Sequence, residues 1–294
     1  MKLGNAPCSW GVEFEDDPRN PCWREVLDEC ALAGFQGIDL GPVGFFPEDP
    51  SILAEALSAR NLTLSSAVIF RPFHDPAAAG ICRDATTRTC RSLALQGAKQ
   101  VVLIDSIAAE RARTIGRPHL AAQLEPDLWV GFVDRIRDSA RIATEEFGLI
   151  ASIHAHAGGY CDFEQEHDRL LNEIDDALLK VCIDTAHSSL AGIDPIALTL
   201  RYASRVSHIH LKDLNPLKKA EVVRNGIDFY EACADDLFCQ MGEGQVNFAF
   251  FKNLLDQIGY DGWCTVEQDC APNAAISKET MALANHRYLS SVGF

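Results

Sequence analysis

His154, Asp184, His210 and Glu267 stand at the ends of four short apolar runs: SIHAHAGG (152–159), CIDTAHSS (182–189), SHIHLKD (207–213) and CTVEQD (264–269). Two imidazoles and two carboxylates would neutralise a divalent cation. Such mixed nitrogen and oxygen ligation suits Mn²⁺, Co²⁺, Fe²⁺ or Zn²⁺ better than Mg²⁺ or Ca²⁺. Side chains alternate between the two faces of a strand, so His208, His210 and Lys212 share a face. The same rule groups Ser152 with His154 and His156, Cys182 with Asp184, and Thr265 with Glu267 and Asp269. Polar groups facing a core are costly to desolvate unless paired or coordinated, which makes these strand ends a candidate metal site. His208 lies deeper than His210 and reads as a hydrogen-bonded core residue. Plainer readings exist for the ligands too: Asp184 can cap the turn after it, and Glu267 can pair with Lys212 or an arginine. Four independent coincidences at four strand ends are harder to accept than one shared cation.

Those strand ends need a sheet to carry them. Eight apolar runs recur, from KLGNAPC near the start through 34–41, 62–70, 98–105, 148–156, 178–186, 205–213 and 262–269. Between them, apolar residues return with helical spacing, as in 23–34, 128–148 and 248–259. Strand and helix in alternation predict a parallel sheet, and the eight repeats predict an α/β fold closed into a single (β/α)8 TIM barrel spanning residues 1–294. A doubly wound open sheet is the structural alternative. Residues 214–247, between the seventh and eighth strands, read as a partly helical loop insertion over the barrel mouth. No GxGxxG or P-loop pattern follows any strand, which weakens a nucleotide-binding reading.

Composition narrows the partners. A net charge of -16, with no basic stripe, would repel a phosphate backbone, so nucleic acid is excluded as an expected partner. Eleven cysteines, from Cys8 to Cys270, show no paired CxxC spacing and read as reduced thiols, most of them small core residues. The N-terminal MKLGNAPCSWGVEFEDD has no long apolar stretch, so neither a signal peptide nor a membrane span is expected and a cytoplasmic protein is. The C-terminal AISKETMALANHRYLSSVGF is expected to pack on the eighth helix or on a partner subunit, leaving a homo-oligomer open.

The motifs SHIHLKD, QMGEGQVNF (240–248), GYDGWCTVEQD (259–269) and IDTAHSSLAGIDP (183–195) together resemble the xylose isomerase-like TIM-barrel superfamily of sugar isomerases, epimerases and dehydratases. GNAPCSWGVEF (4–14), GIDLGPVGFFP (37–47) and HAHAGGYCDF (154–163) extend the likeness over nearly the whole chain, which is most similar to the inosose dehydratases. The resemblance implies Asp184, His210 and Glu267 as metal ligands, with His154 where the epimerases carry a glutamate. Only Glu267 then remains of the epimerases' acid/base pair. An imidazole in place of a carboxylate also leaves the metal a stronger Lewis acid.

Dehydration of an inosose to a cyclic 1,2-dione needs a polarised ketone, a base for the adjacent C–H and an acid for the departing hydroxyl. Lys212 and His156 are the candidates for proton transfer, and His187 for holding a hydroxyl or protonating the leaving group. Lys212 as a structural residue, bridged beside Asp213 or to Glu243, is the competing reading. Trp10 is a candidate wall for a sugar ring, Glu243 a group that reaches the substrate, and Arg71 with His74 a polar pair for hydroxyl recognition. Barrel packing for Trp10 and a tight turn for Gly242 and Gly244 are the plainer readings. A ketose epimerase or isomerase on the same site is the enzymatic alternative, and a non-catalytic polyol-binding barrel the alternative of another class. Endonuclease action is disfavoured by the acidic charge.

Overall fold

The computed structural model describes residues 1–269 and 277–294. Its strands are β1 (Lys2–Asn5), β2 (Gly37–Ile38), β3 (Thr63–Leu64), β4 (Ser66–Arg71), β5 (Gln100–Asp105), β6 (Ile150–His154), β7 (Lys180–Asp184), β8 (Val206–Leu211), β9 (Asp213–Leu214), β10 (Phe238–Cys239) and β11 (Trp263–Val266). All but β9 and β10 form one parallel sheet in the order β3-β2-β1-β11-β8-β7-β6-β5-β4. Only Ser65 separates β3 from β4, so the two ends of that order are one piece of chain and the sheet closes on itself. The Ser65 N–H donates to the Ile38 carbonyl and the Leu40 N–H to the Ser66 carbonyl across this seam. The expected run 62–70 is therefore one barrel strand interrupted at a single residue, and the open-sheet alternative falls.

Strands buried on both faces read as continuous apolar runs. In β5, Val101 and Leu103 join the core between sheet and helices, while Val102 and Ile104 pack with Cys182 inside the barrel. The polar groups of the sequence sit beyond that inner cluster, toward the C-terminal strand ends.

The helices are α1 (Trp23–Ala33), α2 (Pro50–Ser58), α3 (Ala79–Leu95), α4 (Pro126–Arg141), α5 (Glu164–Glu173), α6 (Thr185–Leu190), α7 (Pro195–Arg201), α8 (Pro216–Asn225), α9 (Phe229–Ala234), α10 (Phe248–Gln257) and α11 (Lys278–Ser291). Several start on an Asx-Pro pair: Asp49, Asp194 and Asn215 accept backbone N–H bonds, and the proline after each supplies a ready-made helical φ. The expected helix 128–148 ends at Arg141 and continues as a π-turn over Ile142–Glu146. The C-terminal segment does not pack on the eighth helix as expected; it is that helix, α11, and it lies against α1 with Tyr288 edge-on to Phe248. Its first two residues, 275–276, and Cys270 lie outside the described residues. Among the described residues the other ten cysteines form no disulfide. Among the described residues no helix is long and apolar enough to cross a membrane.

The 214–247 segment contains α8, α9 and β10, which pairs antiparallel with β9. Its MGEGQ turn is organised by Asp213. Asp213 Oδ2 accepts from the N–H groups of Gly242 and Gly244 at 2.9 Å each, and Oδ1 from those of Leu214 at 2.9 Å and Val246 at 3.0 Å. Gly242 sits at φ +89°, and a Cβ on Gly244 would run into the Asp213 carboxylate. These glycines therefore bring the backbone to an aspartate, not to a substrate. Replacing Asp213 with Ala strands four N–H donors and is expected to lower stability by about 3 kcal/mol. A urea midpoint unchanged from wild type would contradict this.

Candidate functional site

Neighbouring strands β6, β7, β8 and β11 set the metal ligands side by side. Register pairs His154 with Cys182, Asp184 with His210, and His210 with Thr265, so the inward face carries all the polar ends together. His154, Asp184, His210 and Glu267, all buried, each place one ligand atom within 4.8 Å of the others. Asp184 does cap the following turn: its Oδ1 accepts from Ala186 N at 2.8 Å and His187 N at 2.7 Å. That anchorage leaves Oδ2 for the cluster, 3.3 Å from His154 Nε2, while His210 Nδ1 lies 3.2 Å from Glu267 Oε2. Asp184 Oδ2 and the ring nitrogens of His154 and His210 are buried without an aligned hydrogen bond. Converging lone pairs with no protein donor are what a divalent cation satisfies, so the residues fit the group. His208, by contrast, is a core residue whose Nε2 lies 3.2 Å from Thr265 Oγ1.

Lys212 joins this cluster to a cavity of about 620 Å³, which Glu267, Asp269 and His156 also line. Its Nζ donates to Asp269 Oδ2 at 2.7 Å and lies 3.4 Å from Glu267 Oε2 and 3.8 Å from Asp184 Oδ2. Neither Glu243 nor Asp213 is its partner. Burial alone would push the ammonium down, but Asp269, Asp184 and Glu267 outweigh it and hold Lys212 well above the usual lysine range. Burial likewise opposes ionisation of Glu267, and the His210 and Lys212 charges overcome it.

His156 donates Nδ1–H to the Ala157 carbonyl at 2.9 Å, which leaves Nε2 as an acceptor. Burial, then the His154 and Lys212 charges, push this imidazole down to about 3. His187 stacks on it at 4.1 Å but does not line the cavity, contrary to its expected contact with substrate. Its Nδ1 accepts from Ala157 N at 3.2 Å, and its Nε2 lies 3.3 Å from Lys212 Nζ.

Of the expected substrate contacts, only Arg71 lines the cavity. Trp10 ends a short 3-10 turn, Pro7–Trp10, that turns its indole into the core, where Nε1 donates to Glu29 Oε2 at 2.6 Å. His74 is held by Asp105, with its N and Nδ1 at 3.0 and 2.9 Å from Oδ1. Glu243 is exposed in the MGEGQ turn, its Oε1 3.4 Å from Gln240 Nε2. In their place the structure brings Asp39, Asp269, Glu13, Phe70, Phe229 and Tyr230 to the cavity wall. Asp39 ends the GIDLG run much as the metal ligands end theirs, and Asp269 shares the face of Glu267, so both carried a readable signal. Asp39 accepts from Ser66 Oγ and Gly41 N at 2.7 Å each, and burial, opposed by those bonds, raises it to about 6. Phe229 and Tyr230 arrive on α9 of the insertion and carried none.

The family model for the xylose isomerase-like TIM barrel matches residues 27–289. An inosose dehydratase of Lacticaseibacillus casei is 28% identical over 303 residues, covering 99% of this chain and 97% of that protein. Among solved structures, the IOLI protein with a bound zinc atom is similar at a TM-score of 0.74 and 14% identity, over 99% of this chain and 98% of that one. The probable 3-DHS dehydratase from Bacillus anthracis is similar at a TM-score of 0.70 and 14% identity, over 99% of both chains. At such identities the structures bear on the fold alone. The closed eight-repeat barrel and the match across most of its length lead to one statement: this chain belongs to the xylose isomerase-like TIM barrel family.

Proposed function

We propose that the protein is a lyase that dehydrates a keto-polyol, an inosose above all, to a cyclic 1,2-dione, using a divalent metal held by His154, Asp184, His210 and Glu267. The observation that carries this reading is the convergence of ligand atoms from four residues, of which the Asp184 Oδ2 and the ring nitrogens of His154 and His210 are buried without an aligned hydrogen bond. The full-length likeness to an inosose dehydratase supports the substrate class. Mn²⁺ or Co²⁺ suits this donor set best, with Zn²⁺ or Fe²⁺ next. When bound, such a cation supplies Lewis acidity toward a ketone oxygen.

The chain's own residues handle the protons. The C–H beside the ketone loses its proton to a base, the adjacent C–O bond breaks, and the hydroxyl leaves as water with a proton from an acid; the enol then becomes the second ketone. Lys212, kept charged by three carboxylates, is the acid. His156 has too little proton affinity to be a strong base and instead accepts a hydrogen bond from a substrate hydroxyl through Nε2. Asp39, raised to about 6 by burial, is the better-matched base. His187 is a positioning residue that packs His156 and Lys212. Trp10, His74 and Glu243 have no part in this scheme.

A base works ionised, so kcat/KM at saturating metal is expected to rise as pH increases through about 6. Asp39→Asn should remove that rise and lower kcat by about 10²–10⁴ with metal content retained. A variant that keeps both rate and profile sends the proton elsewhere.

Incubation with scyllo-inosose and Mn²⁺ or Co²⁺ tests the reaction itself. A new ultraviolet absorption from the dione is the expected result. An epimeric ketone without that absorption would favour the epimerase reading, and a protein that binds polyol but no metal would favour the binding barrel.

A further inference from the structure

Four cationic side chains line the cavity: Arg19, Arg71, Arg88 and Lys212. Three are answered by carboxylates. Arg19 pairs with Asp17, Arg88 Nη2 lies 3.4 Å from Glu48 Oε1, and Lys212 Nζ lies 2.7 Å from Asp269 Oδ2. Arg71 is different. Among the described residues no carboxylate pairs with it, and its hydrogen bond runs from Nη1 to the neighbouring Phe70 carbonyl at 2.8 Å.

The register should have supplied a partner, because Arg71 sits opposite Asp105 across β4 and β5. Asp105 is already used: Oδ1 takes the N and Nδ1 of His74 at 3.0 and 2.9 Å, and Oδ2 takes Tyr160 N at 2.8 Å. Asp105 is buried and does not line the cavity. A half-buried guanidinium is left in the cavity wall with one hydrogen bond to the protein and its other N–H groups open to the cavity, beside apolar Val68 and Phe70 of its own strand. An oxyanion matches that planar fork and supplies the missing charge.

We propose that Arg71 is the binding subsite for an oxyanionic substituent, a carboxylate or a phosphate, carried by the keto-polyol. The inference rests on the keto-polyol reading of the site but moves its substrate from an unsubstituted inosose to a keto-polyol that carries an oxyanion. Space agrees: about 620 Å³ is in the range that holds a drug-sized ligand and exceeds what one hydroxylated six-membered ring fills. Charge agrees as well. Seven carboxylates line the cavity, Asp39, Glu267 and Asp269 among them, and repel an anion; Arg71 is the one lining cation that no carboxylate among the described residues neutralises, so the place beside it is where an oxyanion is best received.

Shikimate and its methyl ester differ in one carboxylate on a hydroxylated ring; myo-inositol 1-phosphate and myo-inositol make the same comparison for phosphate. Calorimetric titration of the purified protein is expected to show the charged member of one pair binding about tenfold tighter than its neutral partner, and that pair identifies the oxyanion. In Arg71→Met the ratio should fall to near one, and in Arg71→Lys part of it should return. Arg71→Gln replaces the methionine variant if that one does not fold. Equal or weaker binding of both charged ligands by the wild type overturns the proposal, and so does a preference that survives loss of the guanidinium. Dione formation is not the readout, so failure of the reaction and failure of this subsite remain separate results.

Discussion

Glu267→Gln is expected to release the bound cation and to lower turnover by at least about a thousandfold. The substitution preserves size but exchanges an anionic ligand for a neutral amide, leaving Asp184 as the one carboxylate in the four-residue set. It also takes from Lys212 a carboxylate now 3.4 Å away. His154→Ala should give the same pair of losses by a different route, since it removes an imidazole and leaves the carboxylates in place. Metal stoichiometry by atomic spectroscopy, read beside the rate of dione formation, checks both variants. Full metal occupancy at a normal rate in either one would remove that residue from the ligand set.

Lys212→Met should separate proton transfer from metal binding. Methionine keeps much of the buried stem but no ammonium, so kcat is expected to fall by about 10²–10⁴. Metal affinity should move the other way or not at all. The ammonium lies 3.8 Å from Asp184 Oδ2 and 3.4 Å from Glu267 Oε2, where it repels a cation and competes with it for the same oxygens. Removing it therefore favours the divalent ion. Titration of the variant with Mn²⁺, alongside its turnover, decides the matter: loss of metal would make Lys212 a structural residue, and unimpaired turnover would place the acid elsewhere.

Much of this protein was legible from short-range pattern. Strands and helices alternate because apolar periodicity is imposed by backbone geometry within a few residues, and the chain states it eight times over. The same period places His154, Asp184, His210 and Glu267 on inward faces, so their convergence followed once the sheet was parallel and closed. Asp184 shows that competing local readings need not exclude each other: one oxygen caps α6 and the other faces the cluster.

What the pattern could not decide lies just past the strand ends. There the twofold alternation lapses, and a side chain goes wherever a distant partner takes it. Trp10 turns away to Glu29, His74 is claimed by Asp105, and the glycines around Glu243 wrap Asp213. Lys212 finds Asp269, and Asp105 finds Tyr160, across more than fifty residues of sequence each. With both of its oxygens taken by His74 and Tyr160, Asp105 is not left to pair with Arg71 opposite it. Local sterics write the barrel into neighbouring residues, whereas the company each polar loop group keeps is chosen only when remote segments are packed together and every buried donor must find an acceptor.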